Sequence, residues 1–169
     1  RKLLFDETSH VFGEAIPLFR QKYADDLEKV FRSDKSFRGV DNVTVFAEWF
    51  GAKSFAGQHQ PEDPKDIVLF DVNPLKKGFL GPKQFLDTFG HLKVAELLGT
   101  EKMGDEFVTR VRNGQFNVES KYHVRSEIPE GVICKGGERH DLWMCKVKTQ
   151  RYYDELKTRH PVDWEKLWE

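Results

Sequence analysis

Lys146 and Lys148 stand two residues apart in Trp143-Met144-Cys145-Lys146-Val147-Lys148-Thr149, a stretch of strand character. Alternation along a strand sends both ammonium groups to one side. Two like charges side by side on a sheet are unfavourable unless an anion lies between them, and a polyphosphate would neutralise both. The preceding segment, Pro129-Glu130-Gly131-Val132-Ile133-Cys134-Lys135, sets Glu130 at the mouth of an apolar strand. Its carboxylate is a hard oxygen ligand of the kind Mg²⁺ takes. The plainer reading of the same residues is a solvated basic strand beside a surface acid.

Two other segments carry side chains of interest. In Val45-Phe46-Ala47-Glu48-Trp49-Phe50-Gly51, alternation places Phe46, Glu48 and Phe50 on one face and Val45, Ala47 and Trp49 on the other. An acid between aromatics is costly to bury without a partner, so Glu48 is expected at a cleft; the plainer reading is a rim carboxylate in a salt bridge. In Ile67-Val68-Leu69-Phe70-Asp71-Val72, Phe70 offers a flat surface on which a nucleobase can stack. Core packing is the ordinary role of such a phenylalanine.

The elements that must position these residues follow from periodicity. Residues Pro17 to Phe31 repeat apolar side chains at helical spacing (Leu18, Phe19, Tyr23, Leu27, Val30, Phe31), with Pro17 suited to a first turn. Asp41 to Gly51 and Ile67 to Val72 predict strands, separated by a loop containing Gly57, Pro61 and Pro64. Lys83–Phe89, Leu92–Leu98 and Glu106–Arg112 predict helices. Gln115–Ser120, Gly131–Lys135 and Leu142–Thr149 predict strands, and Arg151–Arg159 a terminal helix. The class is α+β, an antiparallel-leaning sheet with helices on its flanks.

The bulk properties narrow the field. The chain has 169 residues, 38% hydrophobic and 33% charged, which suits one domain with a substantial core. No apolar run approaches the roughly 18 to 20 residues of a membrane helix, and no secretory leader is visible. Net charge is −1, so the chain is not a globally basic nucleic-acid binder. Seven Lys/Arg against four acids between Lys121 and Arg151 nevertheless make a local positive stretch suited to phosphates. The 6 histidines form no ligand pair, and the 2 cysteines, Cys134 and Cys145, have neither metal spacing nor a disulfide framework. Reduced thiols and a cytoplasmic location are expected.

Taken in order, the Glu48-x-x-Gly51 segment, the apolar strand ending Phe70-Asp71-Val72, Glu130-Gly131-Val132-Ile133-Cys134-Lys135 and Lys146-Val147-Lys148 resemble the covalent nucleotidyltransferase superfamily of ligases and capping enzymes. The likeness is to the RNA ligase 2 and RNA-editing-ligase group and runs from about Val43 to Thr149. It implies an adenylation domain of the nucleotidyltransferase (ATP-grasp-like ligase) type over residues 1–150, with a helical extension over 151–169. By the same resemblance Glu48 contacts the nucleoside sugar, Phe70 stacks on adenine, Glu130 helps bind Mg²⁺, and Lys146 and Lys148 engage the α-phosphate of ATP. Arg1 falls where the family carries a nucleotide-binding arginine just after its nucleophile.

The implied reaction seals RNA in repair. A lysine attacks the α-phosphorus of ATP to give lysyl-AMP, AMP passes to an RNA 5′-phosphate, and a 3′-hydroxyl displaces it. Nearby cations such as Lys146 and Lys148 would depress the pKa of the attacking lysine. The family's nucleophile lies in Lys-x-(Asp/His/Asn)-Gly, yet no lysine here has glycine three residues on. The expectation is a domain incomplete at its N-terminus and, by itself, unable to form the adenylate. Other readings are a DNA ligase or mRNA guanylyltransferase, a non-catalytic nucleotide- or RNA-binding module, and an α+β scaffold with chance motifs. DNA ligases and guanylyltransferases place a five-stranded domain after the Lys-x-Lys strand, where this chain has about twenty residues of helical character.

Overall fold

The computed structural model describes residues 5–10, 12–52, 61–116, 130–138 and 141–166. These form an α+β protein that divides into two compact units. The first comprises residues 1–96 and 137–142, the second residues 97–136 and 143–169.

In the first unit, helix α1 (Ala15–Ser33) is followed by a hairpin of β1 (Val43–Phe50) and β2 (Asp66–Pro74), then by helix α2 (Pro82–Phe89). The predicted apolar stripe of α1 turns inward: Tyr23 and Leu27 are buried, and Leu18, Phe19, Val30 and Phe31 pack around them. They meet Ile67, Leu69 and Val72 of β2 and Phe85 and Phe89 of α2 in one core. Val45, Ala47 and Trp49 of β1 pack against that core, as alternation predicts. Pro82 opens α2 at a position where a missing N–H costs nothing.

Tyr23 and Asp66 carry partnered polar groups at the edge of this core, whereas the buried indole N–H of Trp49 has no hydrogen-bond partner among the described residues. The buried Tyr23 hydroxyl lies 2.9 Å from the Ile67 carbonyl and 2.6 Å from that of Lys93, and donates to one or the other. Asp66 forms ion pairs with both Lys22 and Lys93. Partial burial pushes its carboxyl up, but the hydrogen bonds from Lys22 and Lys93 outweigh this and hold it below the ordinary aspartate value of 3.8. A carboxyl lowered on folding stabilises the native state above its unfolded pKa and loses that contribution as pH falls through the folded value. Urea midpoints measured from pH 6 downward are therefore expected to fall more steeply below about pH 4 in the wild type than in Asp66→Asn. Parallel curves would contradict this.

The second unit holds α3 (Asp105–Arg112), a hairpin of β3 (Gly131–Gly136) and β4 (Trp143–Lys148), and α4 (Gln150–Arg159). Asp105 and Glu106 in the first turn of α3 and Arg110 and Arg112 in its last complement the helix dipole. The helix packs on β3 and β4, with Val111 buried. The Arg110 guanidinium lies against both the Phe107 and Phe116 rings, 6.0 and 5.5 Å from their centroids, and the rings themselves are 5.6 Å apart.

Three expectations are corrected. Instead of one sheet, the described residues form two separate two-stranded antiparallel sheets. Residues 92–98 are not helical. The free edge of β2 takes this segment as an extended partner, with Leu69 N–H donating to the Lys93 carbonyl (3.3 Å) and Ala95 N–H to the Leu69 carbonyl (2.8 Å). Backbone pairing of a buried strand outweighs the modest helical preference of an apolar run. Gln115 and Phe116 lie in a turn, and the rest of the predicted strand to Ser120 is outside the described residues.

Candidate functional site

Gly131 opens β3 with φ at +147°, a conformation glycine tolerates and other residues resist. A Cβ there would collide with the Val147 carbonyl oxygen and the Lys148 Cα on β4. Gly131 therefore lets the two strands close at this end, where Gly131 pairs with Lys148 and Ile133 with Lys146. The Thr149 N–H donates to the Glu130 carbonyl at 2.9 Å and fastens the end of the ladder.

This closure brings three sequence-predicted residues together. Lys146 Nζ lies 2.8 Å and Lys148 Nζ 3.5 Å from the same Glu130 oxygen, Oε1. The two lysines project to one face, as their spacing predicts. The anion between them is the protein's own carboxylate, which spacing alone does not reveal. Their environments also differ: the Lys148 side chain is 5% exposed, against 43% for Lys146 and 44% for Glu130.

Tyr152 is a participant the sequence reading missed. Lys148 Nζ stands 4.7 Å from the centroid of its ring, a cation–π contact. The visible signal is Thr149, which caps α4 by accepting a hydrogen bond from Tyr152 N–H at 3.1 Å. A helix starting directly after the strand carries a residue of its first turn back over the last lysine.

The cluster carries two ammonium groups and one carboxylate, a net positive charge around an almost buried cation. It can accept an anion with several oxygens if Glu130 yields its place or shares it. The same donors fit a bare divalent cation poorly. Mg²⁺ favours an octahedron of oxygens, often one or two carboxylates completed by substrate phosphates. Among the described residues no three His, Cys, Asp or Glu side chains converge, and Glu130 faces two ammonium groups. Phosphate oxygens would have to supply most of such an ion's shell.

The other expected residues belong to the first unit. Glu48 pairs with Val68 across the β1–β2 hairpin. It joins Phe12, Ile16, Phe19, Val45 and Trp49 in lining a mainly apolar cleft of about 660 Å³ beside α1. Phe70 is not among the cleft's walls. It is the extra residue of a β-bulge, lying between the pairs Phe46↔Asp71 and Ala47↔Leu69. Released from the ladder, its ring sits 6.2 Å from that of Phe46, which in turn is 5.2 Å from Phe79. Phe79 is exposed. Phe70 thus belongs to an aromatic row that includes a solvent-facing ring. Arg1, Lys121, Arg125, Pro129 and Arg139 lie outside the described residues.

Among the described residues no helix is long and apolar enough to cross a membrane. Compared with family models, with curated proteins and with solved structures, the chain matches none of them.

Proposed function

We propose that this chain is the body of an ATP-dependent RNA ligase adenylation domain of the nucleotidyltransferase fold, and that Lys146 and Lys148 bind the phosphates of ATP. The observation that carries the proposal is the convergence of Glu130, Lys146 and Lys148 on one ribbon end. These residues belong to the two most specific motifs of the resemblance, and they meet as charges rather than dispersing as solvated side chains.

In this reading Lys148, desolvated and fixed by Glu130 and Tyr152, is a preorganised positive charge for the α-phosphate, while the more exposed Lys146 follows the phosphate chain. Attack by a lysine nitrogen on the α-phosphorus forms the P–N bond as the bond to pyrophosphate breaks, and the ammonium proton passes to solvent. Lys146 and Lys148 neutralise charge on the oxygens during that step. Mg²⁺ accompanies the nucleotide, with Glu130 as a candidate carboxylate. Within the first unit, Phe70 is proposed as a stacking surface for a base and Glu48 as a carboxylate for a sugar hydroxyl. RNA bearing a 5′-phosphate and a 3′-hydroxyl is the proposed strand substrate.

A second reading, a non-catalytic nucleotide- or RNA-binding module, is favoured by one feature: no lysine in the 169 residues is followed three positions later by glycine. Both readings require phosphate binding at the ribbon. Calorimetric titration of the chain with ATP and with adenosine is expected to show ATP binding that weakens with salt and adenosine binding at least tenfold weaker. Equal affinity for the two would contradict the phosphate role of the lysines.

A further inference from the structure

Cys134 and Cys145, ten positions of intervening chain apart in sequence, face each other directly across β3 and β4. We infer that this cross-strand thiol pair is a reversible oxidation site, closed to an intramolecular disulfide by exchange with a glutathione-type small disulfide.

The backbone supplies the required placement. Directly opposed residues of an antiparallel pair have Cα atoms about 4.5 or 5.5 Å apart, according to the type of pair. Both spacings fall within the range of roughly 4.4 to 6.8 Å that a disulfide bridges. The side chains share a face because opposed residues of a ladder point the same way. Both thiols are free and half-buried, so a small reagent can reach them. Lys146, next to Cys145, projects from the other face with the Glu130 cluster. The two cysteines are the chain's complete complement, so no other thiol competes.

Burial, together with the charge and hydrogen bonding of the neighbouring Cys145, pushes the Cys134 thiol up to about 11. Cys134 is therefore the poorer first nucleophile. Cys145 attacks the small disulfide as its thiolate; one S–S bond breaks, a mixed disulfide forms on Cys145, and one reduced glutathione leaves. With its sulfur in the mixed disulfide, Cys145 no longer carries the charge and hydrogen bond that help hold the Cys134 proton. Cys134 loses its proton and attacks the Cys145 sulfur, expelling the second glutathione. The protein gives up two electrons, the small disulfide takes them, and the two cysteine protons end on the two glutathione thiols.

The product ties β3 to β4 between the Glu130 end and the Gly136 end of the ribbon. The test incubates the 169-residue chain in glutathione buffers of increasing oxidised fraction, quenches with acid, and reads intact mass and peptide maps without reductant. The expected product has lost two hydrogens and yields a Cys134–Cys145 cross-linked peptide. Cys134→Ser is expected instead to retain glutathione on Cys145, because the resolving thiol is missing. Amide exchange in β3 and β4 is expected to slow by roughly tenfold in the oxidised form. Wild-type protein that accumulates stable glutathione adducts on both cysteines, or that stays fully reduced in buffers that load Cys145 of Cys134→Ser, would overturn the inference.

Discussion

Gly131→Ala is expected to destabilise the second unit by about 2–6 kcal/mol, combining roughly 1–3 for a side chain forced into a sparsely populated backbone region with roughly 1–3 for overpacking. The residue sits at φ +147°, and its missing Cβ is what allows Val147 and Lys148 to pass close by. Neither obstacle is the tip of a flexible side chain; both are backbone of β4. The strands must separate at this end or Gly131 must leave its conformation, and either movement takes Glu130 away from the lysines. Domains of this size hold only about 5–15 kcal/mol in total, so hydrogen exchange should show β3 and β4 opening early. Gly39→Ala is the control. Gly39 also has positive φ, at +72°, but nothing lies within 4 Å of a Cβ placed there, so it should cost only about 1–2 kcal/mol. Equal losses for the two variants would show that close strand approach at Gly131 is not what the glycine provides.

Lys148→Met is the second large effect and falls on binding rather than folding. Methionine keeps an unbranched chain in a position that is only 5% exposed and removes an ammonium whose burial is itself costly. The fold should change little, by about 1 kcal/mol or less. A lost charge-assisted contact to phosphate is worth about 1.5–3 kcal/mol, so ATP affinity is expected to fall roughly 10- to 150-fold. Lys146→Met, at a half-exposed position, should lose less. Calorimetry on both variants, with thermal unfolding as the check on folding, separates the outcomes. If Lys146→Met weakened binding more than Lys148→Met, the assignment of Lys148 as the preorganised charge would fail.

Much of this architecture was legible in residue types and spacing, for reasons that differ between elements. The stripe from Leu18 to Phe31 has one strong period and one face, so α1 follows from it. Lys146 and Lys148 share a face because a strand has period two. Leu92–Leu98 misled because a short apolar run has no decisive period, and its state depends on an open edge of β2 that is distant in sequence. The bulge at Phe70 was hidden for a related reason: it exists only in the register between β1 and β2. The same limit conceals the site's internal anion and the opposed cysteines. Sequence spacing says which residues share a strand face, whereas the ladder decides which residues of two strands meet. Glu130 between two ammonium groups and Cys134 opposite Cys145 are both products of the β3–β4 register.

The Glu130–Lys146–Lys148 ribbon is proposed to serve adenylyl transfer. The experiment that bears on this most closely expresses the protein from its full reading frame and incubates it with Mg²⁺ and ATP labelled on the α-phosphate. Acid-labile label is expected on a lysine, formed in the wild type and reduced at least 100-fold by Lys148→Met, with Glu130→Gln also impaired. Label that persists undiminished in Lys148→Met, or ATP bound at the ribbon with no covalent label under any condition, would contradict it.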